Sequence, residues 1–256
     1  MPRTIQVTRY VTPLREGGSM PAVVEADDDG LYVLKFRGAG QGPRALVAEW
    51  IVGELARALG FDVPEIVIAD LDPVLARTEG DPEIQSLIRA SGGLNLALDY
   101  LPGAANFDPL AWTPDPALAS RIVWFDAFTS NVDRSTRNPN MLLWHRHLYL
   151  IDHGAALYFQ HGWDGDSERA DAGFPLIRDH VLLPWADDVR RADAELAPTL
   201  SADLVAGIVA QVPDAWLDGP DAFADAAGQR AAYTGYLLRR LAHRDAFVGE
   251  IERARG

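Results

Sequence analysis

Asp133 and Asn138 put a carboxylate and an amide oxygen five residues apart in one polar loop, Asn131-Val132-Asp133-Arg134-Ser135-Thr136-Arg137-Asn138. A second carboxylate follows in Ile151-Asp152-His153-Gly154. A cation is available in Leu31-Tyr32-Val33-Leu34-Lys35-Phe36. Of the chain's 23 Lys and Arg residues, Lys35 is the only lysine. A surface cation tolerates drift from Lys to Arg, whereas a position that needs a compact ammonium on a flexible stem does not. Phosphoryl transfer uses this set of groups. One carboxylate positions the attacking hydroxyl, an amide oxygen and a carboxylate hold magnesium, and a cation neutralises the phosphates. Magnesium takes oxygen ligands and draws few of them from protein, which suits one Asn with one Asp. The Asp-x4-Asn spacing taken alone also describes an Asx-turn loop. The order of the parts along the chain is more specific than any one of them.

The elements that must position these groups follow from periodicity. Ile5 to Val11 alternates as a strand, Arg15 to Ser19 is a glycine loop, and Met20 to Glu25 and Leu31 to Phe36 are further strands. Gly30, in the turn before the third strand, suits a positive φ. After Gly38 to Gly42, a helix is expected from Pro43 to Leu59, with Pro43 in its first turn and Gly60 past its end. Val63 to Ala69 and Leu94 to Leu101 are apolar strands, joined by a polar connection with a short helix. Beyond Pro102-Gly103 the pattern is helical: a buried helix over Ala117 to Thr129, a hairpin turning at His145-Arg146-His147, then helical periodicity in 201–212 and 229–251. The fold class is therefore α+β in two lobes. An antiparallel sheet forms the smaller, over 1–101, and the larger, over 102–256, is mainly helical.

Composition removes several classes. The 256 residues are 48% hydrophobic, enough for a substantial core, and contain no cysteine, so thiol chemistry, disulfides and zinc–thiolate sites are excluded. No apolar run reaches membrane-spanning length, and Met1 to Ile5 lacks a secretory apolar region, so a cytoplasmic location without membrane partners is expected. The net charge of −14 argues against direct nucleic-acid binding. The one dense basic segment, around Arg239, Arg240, His243 and Arg244, reads as a solvated helix face. No Gly-x-Ser-x-Gly elbow or Walker Gly-Lys-Ser/Thr is present.

The catalytic-loop pattern without a preceding His-Arg pair, followed by a hairpin and Leu150-Ile151-Asp152-His153-Gly154, resembles the HipA-like kinases. Gly42 to Trp50 is similar to the helix after the lysine strand in their small members, and Leu98-Asp99-Tyr100-Leu101-Pro102-Gly103 to a kinase hinge. The resemblance covers about residues 15–160, with a faint extension over Phe174 to Pro184. It implies ATP and Mg2+ as cofactors. Lys35 would meet the α/β-phosphates, Asp133 would be the base, and Asn138 and Asp152 would hold the metal. The backbone of Asp99 and Leu101 would hold adenine, and Gly17, Gly18 and Ser19 would cover the phosphates. Glu49 would pair with Lys35, with Glu54 as rival; Asn140 is the alternative to Asn138. His153 stands where protein kinases carry Phe.

The implied activity is ATP-dependent serine/threonine protein phosphorylation, with an antitoxin-like protein as a possible partner and Ser19 a candidate self-acceptor. A small-molecule hydroxyl substrate, or nucleotide binding without turnover, are the alternatives. His145 and His147 have metal-pair spacing but sit at a hairpin tip and read as a solvated turn. Asp126, in an apolar helix, could brace the loop by accepting backbone hydrogen bonds or could lie on a helix surface. The tryptophans, Trp124 and Trp144 included, read as core.

Overall fold

A computed structural model describes residues 2–14, 20–40, 42–162, 168–217 and 225–256. Strands β1 (Thr4–Pro13), β2 (Ala22–Ala26) and β3 (Leu31–Lys35) form the expected antiparallel meander. Strand β4 (Ile66–Leu71) and strand β5 (Gly93–Asp99) complete the sheet in the order β1-β2-β3-β5-β4. The sheet is not an open antiparallel one. Parallel pairing of β1 with β4, Thr4 opposite Ile68, closes it into a barrel. Local alternation carries no information about a partner more than sixty residues away, so this closure is invisible in the sequence.

The period of two then sorts the side chains. Val67, Ala69 and Ala97 point into the barrel with Ile5, Val24 and Leu34. Ile66, Ile68, Leu96 and Leu98 face outward, against helix α1 (Pro43–Ala58). Helix α2 (Pro82–Ala90), capped by the Asp81 carboxylate, brings Ile84, Leu87 and Ile88 to the barrel cluster. In the β2–β3 turn the left-handed residue is Asp29, φ 60°, and not Gly30. Gly30 is required for another reason: a Cβ there would lie 2.8 Å from the Tyr32 ring.

A second apolar cluster joins α1 and the outer face of β4 and β5 to helix α3 (Pro116–Thr129). Asp115 caps α3, and Ile122, Val123, Trp124, Phe125 and Phe128 are buried around its whole circumference. Strands β6 (Ala105–Asn106), β7 (Met141–Trp144) and β8 (His147–Leu150) make a small antiparallel sheet. Its tight turn holds His145 and Arg146 at φ 48° and 69°. Trp144 is half-buried rather than core; its indole N–H donates to the Pro102 carbonyl at 3.0 Å.

Helices α4 (Val189–Leu196), α5 (Ala202–Val209), α6 (Ala226–Ala242) and α7 (Asp245–Arg255) complete the chain. The periodic stretch 229–251 is therefore two helices, broken at His243-Arg244. Arg240 is not on a solvated face. It is 1% exposed and donates to the carbonyls of Ala127, Phe128, Ala170 and Ala172. Two of these belong to the C-terminal turn of α3, whose carbonyls lack helical partners and favour a cation. Among the described residues no helix is long and apolar enough to cross a membrane.

Candidate active site

Lys35 ends β3 on the face opposite Leu34, so its side chain leaves the barrel towards α1. There Nζ donates to Glu49 Oε2 at 2.7 Å and to Asp152 Oδ1 at 2.5 Å. Glu49 is fully buried within the apolar stripe of α1, where an unpaired carboxylate would be costly. Burial alone would strip the proton from Lys35, but Asp152 and Glu49 outweigh it and raise its pKa. Burial pushes the Glu49 carboxyl up, against the pull of Lys35. The rival Glu54 is elsewhere: its carboxylate meets Arg57 at 3.4 Å.

Asp152 reaches Lys35 because of how β8 ends. The Leu150 amide donates to Asp62, the Ile151 amide to Asn140, and Asp152 itself adopts a left-handed backbone, φ 55° and ψ 63°. Lys35 holds the Asp152 carboxyl below its ordinary pKa. His153, fully buried, meets the Phe125 ring edge-on at 6.5 Å. Its Nδ1 lies 3.4 Å from Arg134 Nη2. Burial and the Arg134 charge push the imidazole down to about 3, so it is neutral and Nδ1 is an acceptor.

The loop after α3 departs through Ser130 at φ 53°. Asn131 is fixed by Nδ2 donating to Asp126 Oδ1 at 3.0 Å, and its Oδ1 accepts from the Asp133 amide at 3.1 Å. Arg134 donates Nε to Asp126 Oδ2 at 2.5 Å and Nη1 to the Asn140 carbonyl. His180 adds a third bond to Asp126, Nε2 to Oδ2 at 2.8 Å, while its Nδ1 accepts from the Leu182 amide. Asp126 thus braces the loop from a buried position and not from a helix surface: its carboxylate holds the side chains of Asn131, Arg134 and His180, and its carbonyl accepts from the Asn131 amide at 2.9 Å.

The Asp133 carboxylate accepts from Asn138 Nδ2 at 2.8 Å, and its carbonyl from Asn140 Nδ2 at 2.9 Å. Burial, with a further contribution from nearby Asp152, raises the Asp133 pKa against the pull of these amides. Both asparagines flank Asp133, but Asn140 is buried and Asn138 exposed. At the end of β5, Asp99 pairs with Tyr32 and the Tyr100 amide donates to Leu31. The Leu101 carbonyl accepts from Ala104, while its amide makes no hydrogen bond among the described residues. Gly17, Gly18 and Ser19 lie outside the described residues.

The structure therefore brings Lys35, Glu49 and Asp152 into one cluster and Asp133 and Asn138 into the adjoining one. Arg134 and His180 escaped the sequence reading. Arginine beside a polar loop reads as surface, and His180 carried only the faint signal of Phe174 to Pro184. His145 and His147 are exposed at their turn, and no group of three metal-ligating His, Cys, Asp or Glu occurs among the described residues.

The structure is similar to the Helicobacter pylori proinflammatory kinase CtkA, with a TM-score of 0.55, 13% sequence identity and 98% of each chain covered. It is also similar to the Golgi casein kinase with Mn/ADP bound, with a TM-score of 0.50, 13% identity, 98% of this chain covered and 74% of that one. At such identities the likeness is one of fold: a mixed α+β fold shared with kinases. No curated protein matches the chain by sequence. The HipA-like kinase family model matches residues 7–250, a span that holds both clusters around Lys35 and Asp126, and the chain belongs to the HipA-like kinase family.

Proposed function

We propose that this kinase-family protein transfers the γ-phosphoryl group of ATP, with magnesium, to a serine or threonine hydroxyl of a protein. The observation that carries the reading is Lys35 Nζ, held between Glu49 Oε2 and Asp152 Oδ1. The Lys–Glu pair and a carboxylate on magnesium are the parts a protein kinase assembles. The residues fit the groups. Asp133, Asn138 and Asp152 are hard oxygen donors with no sulfur among them, as magnesium prefers. The Leu101 amide, without a hydrogen-bond partner among the described residues, suits an adenine ring nitrogen. In this reading residues 1–101 and 102–256 are the two lobes and the site lies between them.

Each side chain then has one task. Glu49 orients Lys35, which donates to phosphate oxygens. Asn138 spends Nδ2 on Asp133 and leaves Oδ1 for the metal; Asp152 supplies the second protein ligand. Magnesium, when bound, neutralises charge on the phosphate oxygens. Asp133 positions the acceptor hydroxyl and takes its proton as the oxygen bonds to phosphorus and ADP departs. Its raised pKa suits that role.

Labelled ATP tests the reading. Wild type is expected to label protein on Ser or Thr, and Asp133→Asn to lower that transfer by about 10²–10⁴-fold while keeping the Mg-ATP melting shift. Transfer by Asp133→Asn at the wild-type rate would sink the assignment. So would a wild-type melting point that ignores millimolar Mg-ATP.

A further inference from the structure

Beside the Asp133–Asn138 loop lies a groove of about 890 Å³. Its lining comes from three segments: Ser135 to Arg137 after Asp133, Arg178 to Pro184, and the end of α7 at Arg255. The first two are stitched together by the Ser135–His180 bridge and by the Val181 amide donating to the Arg134 carbonyl at 3.0 Å. The groove is thus fixed to the same loop that positions Asp133.

Its charge runs against that of the molecule. The chain carries −14, yet the groove holds Arg137, Arg178 and Arg255 against one carboxylate, Asp179. Arginines on the surface nearby are tightly matched: Arg190 bonds Glu252, and Arg191 bonds Glu195, each at 2.8 Å. In the groove, Arg178 Nε stands 3.7 Å from Asp179, a loose contact between two exposed side chains. Arg137 is exposed and forms no ion pair among the described residues. Arg255 gives Nη1 to the Ala186 carbonyl and has no carboxylate partner among them. His180 adds no charge: its Nε2 donates to Asp126 inside while its Nδ1 accepts from the Leu182 amide, so only one ring nitrogen carries a proton.

We propose that this groove receives an acidic peptide segment flanking the acceptor Ser or Thr, so that the substrate is a protein with Asp or Glu beside its phosphorylated residue. The inference rests on the protein-kinase reading. A hydroxyl at Asp133 places the residues on its flank against Ser135 to Arg137, four residues or fewer away in the chain. Three guanidiniums facing a single, loosely held carboxylate select carboxylates by complementarity and repel basic sequences.

The test uses three Ser/Thr peptides that differ only in flanking Glu, Ala or Lys. Transfer kinetics and fluorescence-anisotropy binding are both measured on wild type and on the double variant Arg137→Glu with Arg178→Glu. Both residues are exposed, and the Mg-ATP melting shift reports that the variant is folded. The Glu-flanked peptide is expected to show a KM about tenfold below that of the Ala-flanked one, an advantage that shrinks with added salt. The double variant is expected to invert the order and favour Lys flanks. Equal KM and equal binding for all three peptides would overturn the groove assignment while leaving the kinase reading intact. Arginine-dependent binding of the Glu peptide without transfer to any peptide would keep the groove and overturn the protein-kinase reading. Neither binding nor transfer would remove both.

Discussion

Arg134 Nε stands 2.5 Å from Asp126 Oδ2, and neither side chain touches solvent. The residue that follows Asp133 is thereby tied to the last turn of α3, and through Nη2 to His153 beside Asp152. One guanidinium connects the two loops that carry the site's carboxylates. Burial works to raise the Asp126 pKa, but Arg134 and His180 overcome it and hold the carboxyl far below the usual range.

Breaking this pair leaves a buried charge alone. Asp126→Asn is expected to cost about 3–5 kcal/mol in urea-denaturation stability. The double variant Asp126→Leu with Arg134→Met is expected to be less destabilised than the sum of its single changes, because no charge is stranded. Additive losses would show that the pair is not coupled.

The two glutamates of α1 give a clean contrast. Glu49 is bonded to Lys35, whereas Glu54 touches only Arg57 among the described cations. Glu49→Ala is expected to weaken Mg-ATP binding at least about tenfold, or about 1.4 kcal/mol by titration calorimetry. Glu54→Ala is expected to bind as wild type. A loss of equal size in both variants would disconnect Glu49 from the nucleotide.

Acid should loosen the protein earlier than its carboxylates demand. His153 has an ordinary value of 6.5 in the unfolded chain and about 3 in the fold. The unfolded state therefore binds the extra proton between those values, and stability is present above pH 6.5 and lost as pH falls towards 3. His180 is shifted down too, by burial, and acts in the same direction. His153→Phe is expected to remove about 1.4 kcal/mol per pH unit from the slope of stability between pH 6 and 4. An unchanged slope would mean that His153 does not titrate on unfolding.

Arg240 supports the end of α3 by geometry as well as charge. Its four carbonyl acceptors surround a planar fork that an ammonium cannot match. Arg240→Met is expected to cost about 3 kcal/mol or more, with Arg240→Lys recovering less than half, by chemical denaturation. Full recovery by Lys would reduce the role to charge alone.

The grouping of the candidate residues was easier to read in the chain than the architecture. Lys35, Asp133, Asn138 and Asp152 stand out because their types are rare or their order is constrained, and the structure does gather them. The choice between Glu49 and Glu54 could not be made by periodicity, since both lie near the apolar stripe of one helix and only the direction of Lys35 separates them. Barrel closure was hidden because the β1–β4 register joins distant segments. Arg134, Arg240 and His180 were hidden for a different reason. A charged side chain looks solvated until its partners, scattered over the chain as Asp126 and the α3 carbonyls are, come together around it.

The solitary lysine has a practical consequence. A lysine-specific protease has a single side chain to recognise in all 256 residues, and that side chain is 13% exposed and bonded to two carboxylates in the folded protein. Cleavage after Lys35 therefore requires that β3 leave the barrel, which makes the chain its own one-cut reporter of opening. Anything that stabilises the site should slow the appearance of the two fragments, so occupancy can be followed on a gel without a label, an antibody or a known substrate.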